Sequence, residues 1–156
     1  MIKIRLVAIG KVKEKYFIQG IEEYSKRLSR FCDFEIVELK EENYEKATSG
    51  DIAKILSVEG ERIKKAIKGY AITLAVEGEK VSSEGFAKRI EKLASEGKGE
   101  ITFIIGGSYG VSPEIKRETA KLSFSDMTFP HTLMRLVFTE QLYRAFTIIN
   151  NTEYHK

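Results

Sequence analysis

The stretch that decides the fold is FIIGGSYGVSP, Phe103–Pro113, in which an apolar run stops at two glycines. The run Ile101–Ile105 predicts a buried strand. Ser112 followed by Pro113 predicts the start of a helix, because serine caps helices well and proline is favoured at the first helical position. A strand, a glycine turn and a helix in this order indicate an α/β fold, in which ligands bind at the carboxyl ends of strands.

The same alternation extends along the whole chain. Short apolar runs predict further strands at Ile4–Ile9, Asp33–Leu39, Ala71–Val76 and within Phe124–Phe129. Helical spacing of apolar residues predicts helices over Phe17–Phe31, from Asp51 as a possible cap, from Ser82 or Ser83, from Ser112 to about Leu122, and from Pro130 to about Asn150. Nearly continuous apolar strands are typical of a mostly parallel sheet flanked by helices on both faces. We therefore expect a ligand site in the loops after Val76, Ile105 and Phe129.

Length and composition predict a single domain, 1–156, with one core. No run approaches the roughly 20 apolar residues of a membrane span, and MIKIRLVAIG lacks the layout of a signal peptide. The single cysteine, Cys32, excludes an internal disulfide and a cysteine metal site, which fits a reducing cytoplasm. The sequence thus predicts a cytoplasmic protein with no membrane partner and no metal.

The charge balance is only weakly informative. The formal net charge is +3, from 26 basic and 23 acidic residues. This small excess permits a nucleic-acid partner but does not require one, because strongly basic domains are the ones that indicate nucleic-acid binding.

The last helix is apolar nearly all the way round. Its side chains between Leu133 and Ile149 include few charges, so the pattern predicts burial on all sides. One sheet can cover only one side of a helix, and we therefore predict a homodimer through this helix. The alternative is that earlier helices of the same chain cover the second side.

Glycine spacing alone leaves two interpretations of the central turn open. A dinucleotide-binding loop needs G-x-G-x-x-G and an acidic residue about 20 positions later. Gly106, Gly107 and Gly110 lack that spacing, although Asp126 lies at a suitable distance. The other interpretation is a tight turn that needs positive φ.

Five polar residues near the C-terminus are candidates for chemistry. His131 follows Pro130 at a helix start, and Arg135 and Arg144 lie on a helix predicted to be buried, where charges need partners or a function. Tyr154 and His155 form, with the terminal lysine, a set that could stack on a base and hold phosphate. Taken without other information, His131 is a polar end group, Arg144 forms a surface ion pair, and the tail is solvated.

Several motifs together resemble one family. They are VAIGKVKEKY, ITLAVEG, FIIGGSYG, LSFSDMTFPHTLMRLVFTEQLYRAF and the terminal EYHK. The chain resembles the ribosomal large-subunit methyltransferase H family, of the SPOUT class, over essentially its whole length. The resemblance implies an α/β fold with a C-terminal trefoil knot and a homodimer. It also implies methyl transfer from S-adenosylmethionine to N3 of a pseudouridine in a 23S rRNA hairpin loop of the assembled ribosome.

The resemblance also assigns residues to the cofactor pocket. Leu74 of ITLAVEG and Gly106 of FIIGGSYG would form two walls. The third wall would comprise Phe124, Ser125, Asp126, Met127, Thr128 and Phe129. These three segments coincide with the strand ends that topology indicates.

The implied reaction assigns roles to the five C-terminal candidates. The pseudouridine N3 must lose a proton, and a histidine with a near-neutral pKa is suited to remove it, either His155 if the tail folds over the site or His131. Tyr154 could stack on the base, while Arg144 and Arg135 could hold phosphate or stabilise the developing negative oxygen. Two competing hypotheses are a dinucleotide-dependent oxidoreductase that uses Gly106–Gly110 and Asp126, and a ribosome-binding module without chemistry.

Overall fold

A computed structural model describes all residues, from Met1 to Lys156. In chain order the elements are β1 Lys3–Ile9, α1 Lys15–Leu28, β2 Asp33–Leu39, α2 Ser49–Ala66, β3 Tyr70–Lys80, α3 Ser83–Ser95, β4 Glu100–Ile105, α4 Pro113–Glu118, β5 Ala120–Ser123 and α5 His131–Ile149. The strands form one five-stranded sheet in the order β2-β1-β4-β3-β5, and every pairing is parallel. The predicted α/β class and parallel sheet are confirmed.

Helices cover both faces of the sheet, and β4 shows why its sequence is apolar throughout. Successive side chains of a strand point to opposite faces. Ile101, Phe103 and Ile105 accordingly belong to the larger core cluster, with buried residues of α1, α3 and α5. Ile104 belongs to the smaller cluster, with buried residues of α2 and α4. Both faces of the strand are therefore dry.

Two predicted boundaries near the third wall are wrong. The last strand is Ala120–Ser123 rather than a segment within Phe124–Phe129, and α4 ends at Glu118 rather than near Leu122. Thr119 is already extended, and its hydroxyl shares a 2.7 Å hydrogen bond with the hydroxyl of Thr73 in β3. The same hydroxyl donates to the carbonyl of Ile115, so Thr119 links the end of α4 to β3. The apolar residues at 124–129 instead form an irregular segment that follows the strand.

The start of α2 also differs from the prediction. Thr48, not Asp51, is the N-cap, and its hydroxyl accepts a hydrogen bond from the backbone N–H of Asp51. The carboxylate of Asp51 accepts in return from the backbone N–H of Thr48, which completes a capping box. These bonds from Thr48 lower the pKa of Asp51, because they stabilise its ionised form.

Helix α5 packs against both α1 and α3 and places Phe138, Leu142 and Ala145 in the core. Helices α1 and α3 therefore flank α5, as expected if earlier helices of the same chain, rather than a second copy, cover its second side. Its outward side still carries Leu133 and Val137, which are only partly buried. No helix is both long enough and apolar enough to cross a membrane.

Candidate active site

A cavity of about 630 Å³ lies at the carboxyl edge of the sheet. Three segments form most of it: Leu74–Glu77 of β3, the turn after β4, and the segment from Ser123 to His131, without Asp126. Lys116 of α4 and Met134 of α5 complete the lining. The three segments are those that topology and the family resemblance both predict. The volume is typical of small-molecule sites in proteins.

The first wall exists because β3 bulges. Leu122 of β5 pairs with both Leu74 and Glu79, so the intervening residues of β3 loop out of register. A Cβ on Gly78 would lie 2.8 Å from the backbone of Leu122, which explains the glycine. The bulge leaves Val76 45% exposed at the cavity.

The second wall is the glycine turn. Gly110 has a φ of +85°, and its N–H donates to the carbonyl of Gly107 at 3.0 Å. A Cβ on Gly106 would collide with the carbonyl of Gly110. Closure of the turn therefore already requires a glycine at position 106, whether or not a ligand approaches it. Positive φ is needed only at Gly110, and the backbone of Gly106 lines the cavity.

The third wall is held by an aromatic anchor and a serine turn. Phe124 stacks on Phe138 with ring centroids 6.3 Å apart. The hydroxyl of Ser125 accepts a hydrogen bond from the N–H of Met127 at 3.0 Å, which bends the chain. Thr128 and Phe129 then complete the lining.

Asp126 is the exception among the expected pocket residues. Its carboxylate forms an ion pair with Lys80, is 74% exposed and does not line the cavity. Its position outside the lining gives no support to a role as a ribose-binding acid in a dinucleotide site. The helix after the glycine turn, α4, is also only 6 residues long.

His131 lines the cavity from the first turn of α5. Its Nδ1 is buried and has no hydrogen-bond partner. Burial lowers the pKa of His131, the charge of Arg135 lowers it further, and Glu41 and Glu14 oppose the shift. The imidazole is therefore neutral at pH 7 and able to accept a proton.

Arg135 does not line the cavity, in contrast to its expected contact with RNA or the reacting oxygen. Its side chain is 1% exposed. It donates to the carbonyls of Ile9 and Gly10 at 3.2 Å each and to the carboxylate of Glu38 at 2.7 Å. Burial lowers its pKa, while Glu38 partly restores it. The guanidinium thus fastens α5 to the ends of β1 and β2.

The C-terminal tail folds back onto its own helices rather than over the cavity. The hydroxyl of Tyr154 donates to Glu140 at 2.9 Å and lies 3.3 Å from that of Tyr24. Arg144 contacts Nδ1 of His155 at 3.1 Å and the carboxylate of Glu140 at 3.0 Å. None of these residues lines the cavity.

The tail contacts fix the tautomer of His155. Arg144 can only donate, so Nδ1 of His155 is the acceptor. The proton then sits on Nε2, which donates to the carboxylate of Glu84 at 2.7 Å. Both ring nitrogens are occupied, and this bond lowers the pKa of Glu84.

Two charged cavity residues were not predicted from the sequence. Glu77 and Lys116 both line the cavity, and their side chains form an ion pair at 2.5 Å. The only sequence signal is that Glu77 directly follows a predicted strand end. Lys116 lies on the helix after the glycine turn, and nothing in the sequence distinguishes it from the many other lysines. The structure has no group of three or more His, Cys, Asp and Glu side chains placed to hold a metal ion.

A family model described as a predicted SPOUT methyltransferase matches residues 2–155. The chain belongs to the SPOUT methyltransferase family. It is 52% identical to the ribosomal RNA large subunit methyltransferase H of Limosilactobacillus reuteri, over 98% of this chain and 99% of that protein. It is 49% identical to the protein of the same name from Streptococcus pneumoniae, over 99% of each chain. This family membership confirms the resemblance seen in the motifs.

The fold of this protein is also similar to that of a solved structure. A probable methylase family protein from Haemophilus influenzae superposes with a TM-score of 0.56. The match covers 98% of this chain and 70% of that one, at 15% sequence identity. At this identity the likeness concerns the fold alone.

Proposed function

We propose that this protein methylates N3 of a pseudouridine in a hairpin loop of 23S rRNA, with S-adenosylmethionine as the donor, on the assembled ribosome in the cytoplasm. The observation that carries the proposal is the cavity. Its three walls are the segments that the methyltransferase H motifs imply, and its size suits a nucleoside-sized ligand. The relatives named above are ribosomal RNA methyltransferases by name.

The lining fits the proposed donor by its chemistry. Leu74, Ile105 and Phe129 offer apolar surface to an adenine ring, and the strand ends offer free backbone N–H and C=O groups to its polar edge. When bound, S-adenosylmethionine supplies a methyl group on a sulfonium, which is a good leaving group. The protein's main task is therefore to align the reactants.

We assign the proton acceptor to His131. This residue lines the cavity, its lowered pKa keeps it neutral, and its Nδ1 makes no hydrogen bond within the chain. His155 has neither property, because both of its nitrogens are bonded and it lies away from the cavity. In this account His131 would take the proton from N3, and S-adenosylmethionine, held by the three walls, would supply the methyl group.

The homodimer belongs to the same proposal. Leu133 and Val137 leave an apolar stripe on the outer side of α5, and Met127, at the cavity, is 70% exposed. Contact with a second copy would bury these groups. Sedimentation of the native chain at micromolar concentration should give the mass of a dimer, and Val137→Glu should shift it to the monomer. A native monomer would refute the dimer.

We further propose that the domain, 1–156, contains the trefoil knot. The segment after edge strand β5 returns across the sheet, so that α5 begins beside Gly10 at the end of β1. This return supports a threaded path, which is very rare among folds. Stretching the chain from its termini in an optical trap should give a fully unfolded length below the roughly 3.4 Å per residue of an untied chain. The untied length would refute the knot.

The function itself is tested by methyl transfer. Ribosomes that lack the modification should accept a labelled methyl group from S-adenosylmethionine, and calorimetry should detect S-adenosylhomocysteine but not NAD. Binding of NAD would instead favour the oxidoreductase. Binding to ribosomes without transfer would favour the non-catalytic module.

A further inference from the structure

The cavity contains one pair of opposite charges among mostly apolar or backbone surfaces. Glu77 comes from the bulge of β3, and Lys116 comes from α4. With His131, they are the titratable side chains of the lining. The pair therefore gives one part of the cavity a cation and an anion side by side, 2.5 Å apart.

Fold stability gives little reason for this pair. The side chains of Lys116 and Glu77 are 32% and 54% exposed, and ion pairs that exposed contribute little to folding. The same strand and helix are already joined by another contact, since the hydroxyl of Thr73 in β3 bonds that of Thr119, the C-cap of α4. A pair that the fold does not need, placed in a ligand cavity, suggests a role in binding.

The electrostatics of the pair are suited to a zwitterion. Lys116 lowers the pKa of Glu77, so that carboxylate is ionised at neutral pH. An α-amino acid presents a carboxylate and an ammonium on one carbon, and each would find the opposite charge here. Hydrogen bonds between such charged groups are among the strongest in proteins.

We propose that Lys116 and Glu77 bind the α-amino-acid end of the methyl donor. The Nζ of Lys116 donates to the ligand carboxylate, and the carboxylate of Glu77 accepts from the ligand ammonium. This assignment rests on the proposed function, since it presumes an adenosyl amino acid in the cavity. It places the charged end of the ligand on the β3 and α4 side, whereas His131 lies beside Gly10 at the end of β1.

The test compares two ligands that differ only at that end. S-adenosylhomocysteine carries the amino acid, and 5′-methylthioadenosine keeps the adenosine and the thioether but lacks it. By calorimetry, Lys116→Gln and Glu77→Gln should each lower the affinity for S-adenosylhomocysteine about tenfold, because the lost bond is charge-assisted but partly exposed. Both variants should bind methylthioadenosine as the native protein does, and Lys116→Arg should retain most of the affinity.

A matched pair provides the control. Lys64 and Glu114 join α2 to α4 at 3.6 Å, are about half exposed and do not line the cavity. Lys64→Gln and Glu114→Gln should leave the affinity for both ligands unchanged. Thermal unfolding of all variants should stay close to that of the native protein.

Three outcomes would overturn the inference. Unchanged affinity of Lys116→Gln and Glu77→Gln for S-adenosylhomocysteine would exclude the assigned contacts. An equal loss for both ligands would place the pair at the ribose or the adenine instead. If the native protein bound neither ligand, the proposed cofactor itself would be wrong and the inference would fall with it.

Discussion

Arg135 lies one helical turn after His131 in α5, and its buried charge helps to keep that imidazole neutral. Residues four apart share one face of a helix, so the two side chains are neighbours. The same guanidinium is held by the carbonyls of Ile9 and Gly10. One residue thus joins α5 to the sheet and favours the proton-accepting form of the proposed base.

The first prediction concerns pH. The pKa of His131 is lowered, so its neutral form should persist below the ordinary value near 6.5. Single-turnover methyl transfer should fall as the pH drops through that lowered pKa and be constant around neutrality. His131→Gln should lower the rate by roughly 10²-fold or more, the usual contribution of a general base.

His155→Gln is the matched control for this experiment. It should keep the acid limb of the pH profile, because His155 lies outside the cavity. If His155→Gln abolished that limb and His131→Gln did not, the assignment of the base would be reversed.

The second prediction concerns stability. Arg135→Met removes three hydrogen bonds and leaves Glu38 without its partner. The free energy of unfolding should fall by about 2 kcal/mol, because two carbonyls lose their buried donor, whereas Glu38 is 40% exposed and partly solvated. Arg27→Met removes an exposed pair with Glu23 and should change the free energy of unfolding far less. Urea denaturation measures both, and similar losses would contradict the structural role of Arg135.

The fold could be predicted largely from local pattern. The apolar run at Ile101–Ile105 and the capping signal at Ser112 each specify an element by themselves, and both are present. The last strand was misplaced because AKLS has only four residues and one large apolar side chain, whereas 124–129 carries two phenylalanines and a methionine. Its position depends on the pairing of Leu122 with β3, which is a contact between distant parts of the chain.

The third prediction concerns the glycine turn. Gly106→Ala should destabilise the fold and lower the affinity for S-adenosylhomocysteine, because the new Cβ would collide with the carbonyl of Gly110. Gly99→Ala is the control, since a Cβ there would meet nothing within 4 Å and the residue has no positive φ. Thermal unfolding and calorimetry measure the two effects. Native-like behaviour of Gly106→Ala would contradict the account of the turn.

The fourth prediction concerns the tail. Deletion of residues 154–156 should leave the affinity for S-adenosylhomocysteine intact, because Tyr154 and His155 contact α1, α3 and α5 rather than the cavity. If the tail stacks on a base or holds phosphate, as the sequence predicts, the deletion should also reduce turnover on ribosomes. Intact turnover by a folded, dimeric deletion variant would show that the tail has no role in the reaction.

The site was only partly predictable, for physical reasons. The walls were accessible to topology, because carboxyl ends of parallel strands meet at one edge. The hydrogen bonds from Arg135 to the carbonyls of Ile9 and Gly10 could not be predicted, because they join residues more than 120 positions apart. The ion pair between Glu77 and Lys116 likewise depends on a bulge in β3 that the sequence pattern does not predict.

The central claim is that the cavity and His131 serve methyl transfer to N3 of a ribosomal pseudouridine. The most direct measurement incubates the native protein with labelled S-adenosylmethionine and ribosomes that lack the modification, and then maps the labelled nucleotide. We expect a label on N3 of one pseudouridine in 23S rRNA and a strongly reduced rate with His131→Gln. A protein that binds S-adenosylhomocysteine but transfers no label to these ribosomes would contradict it.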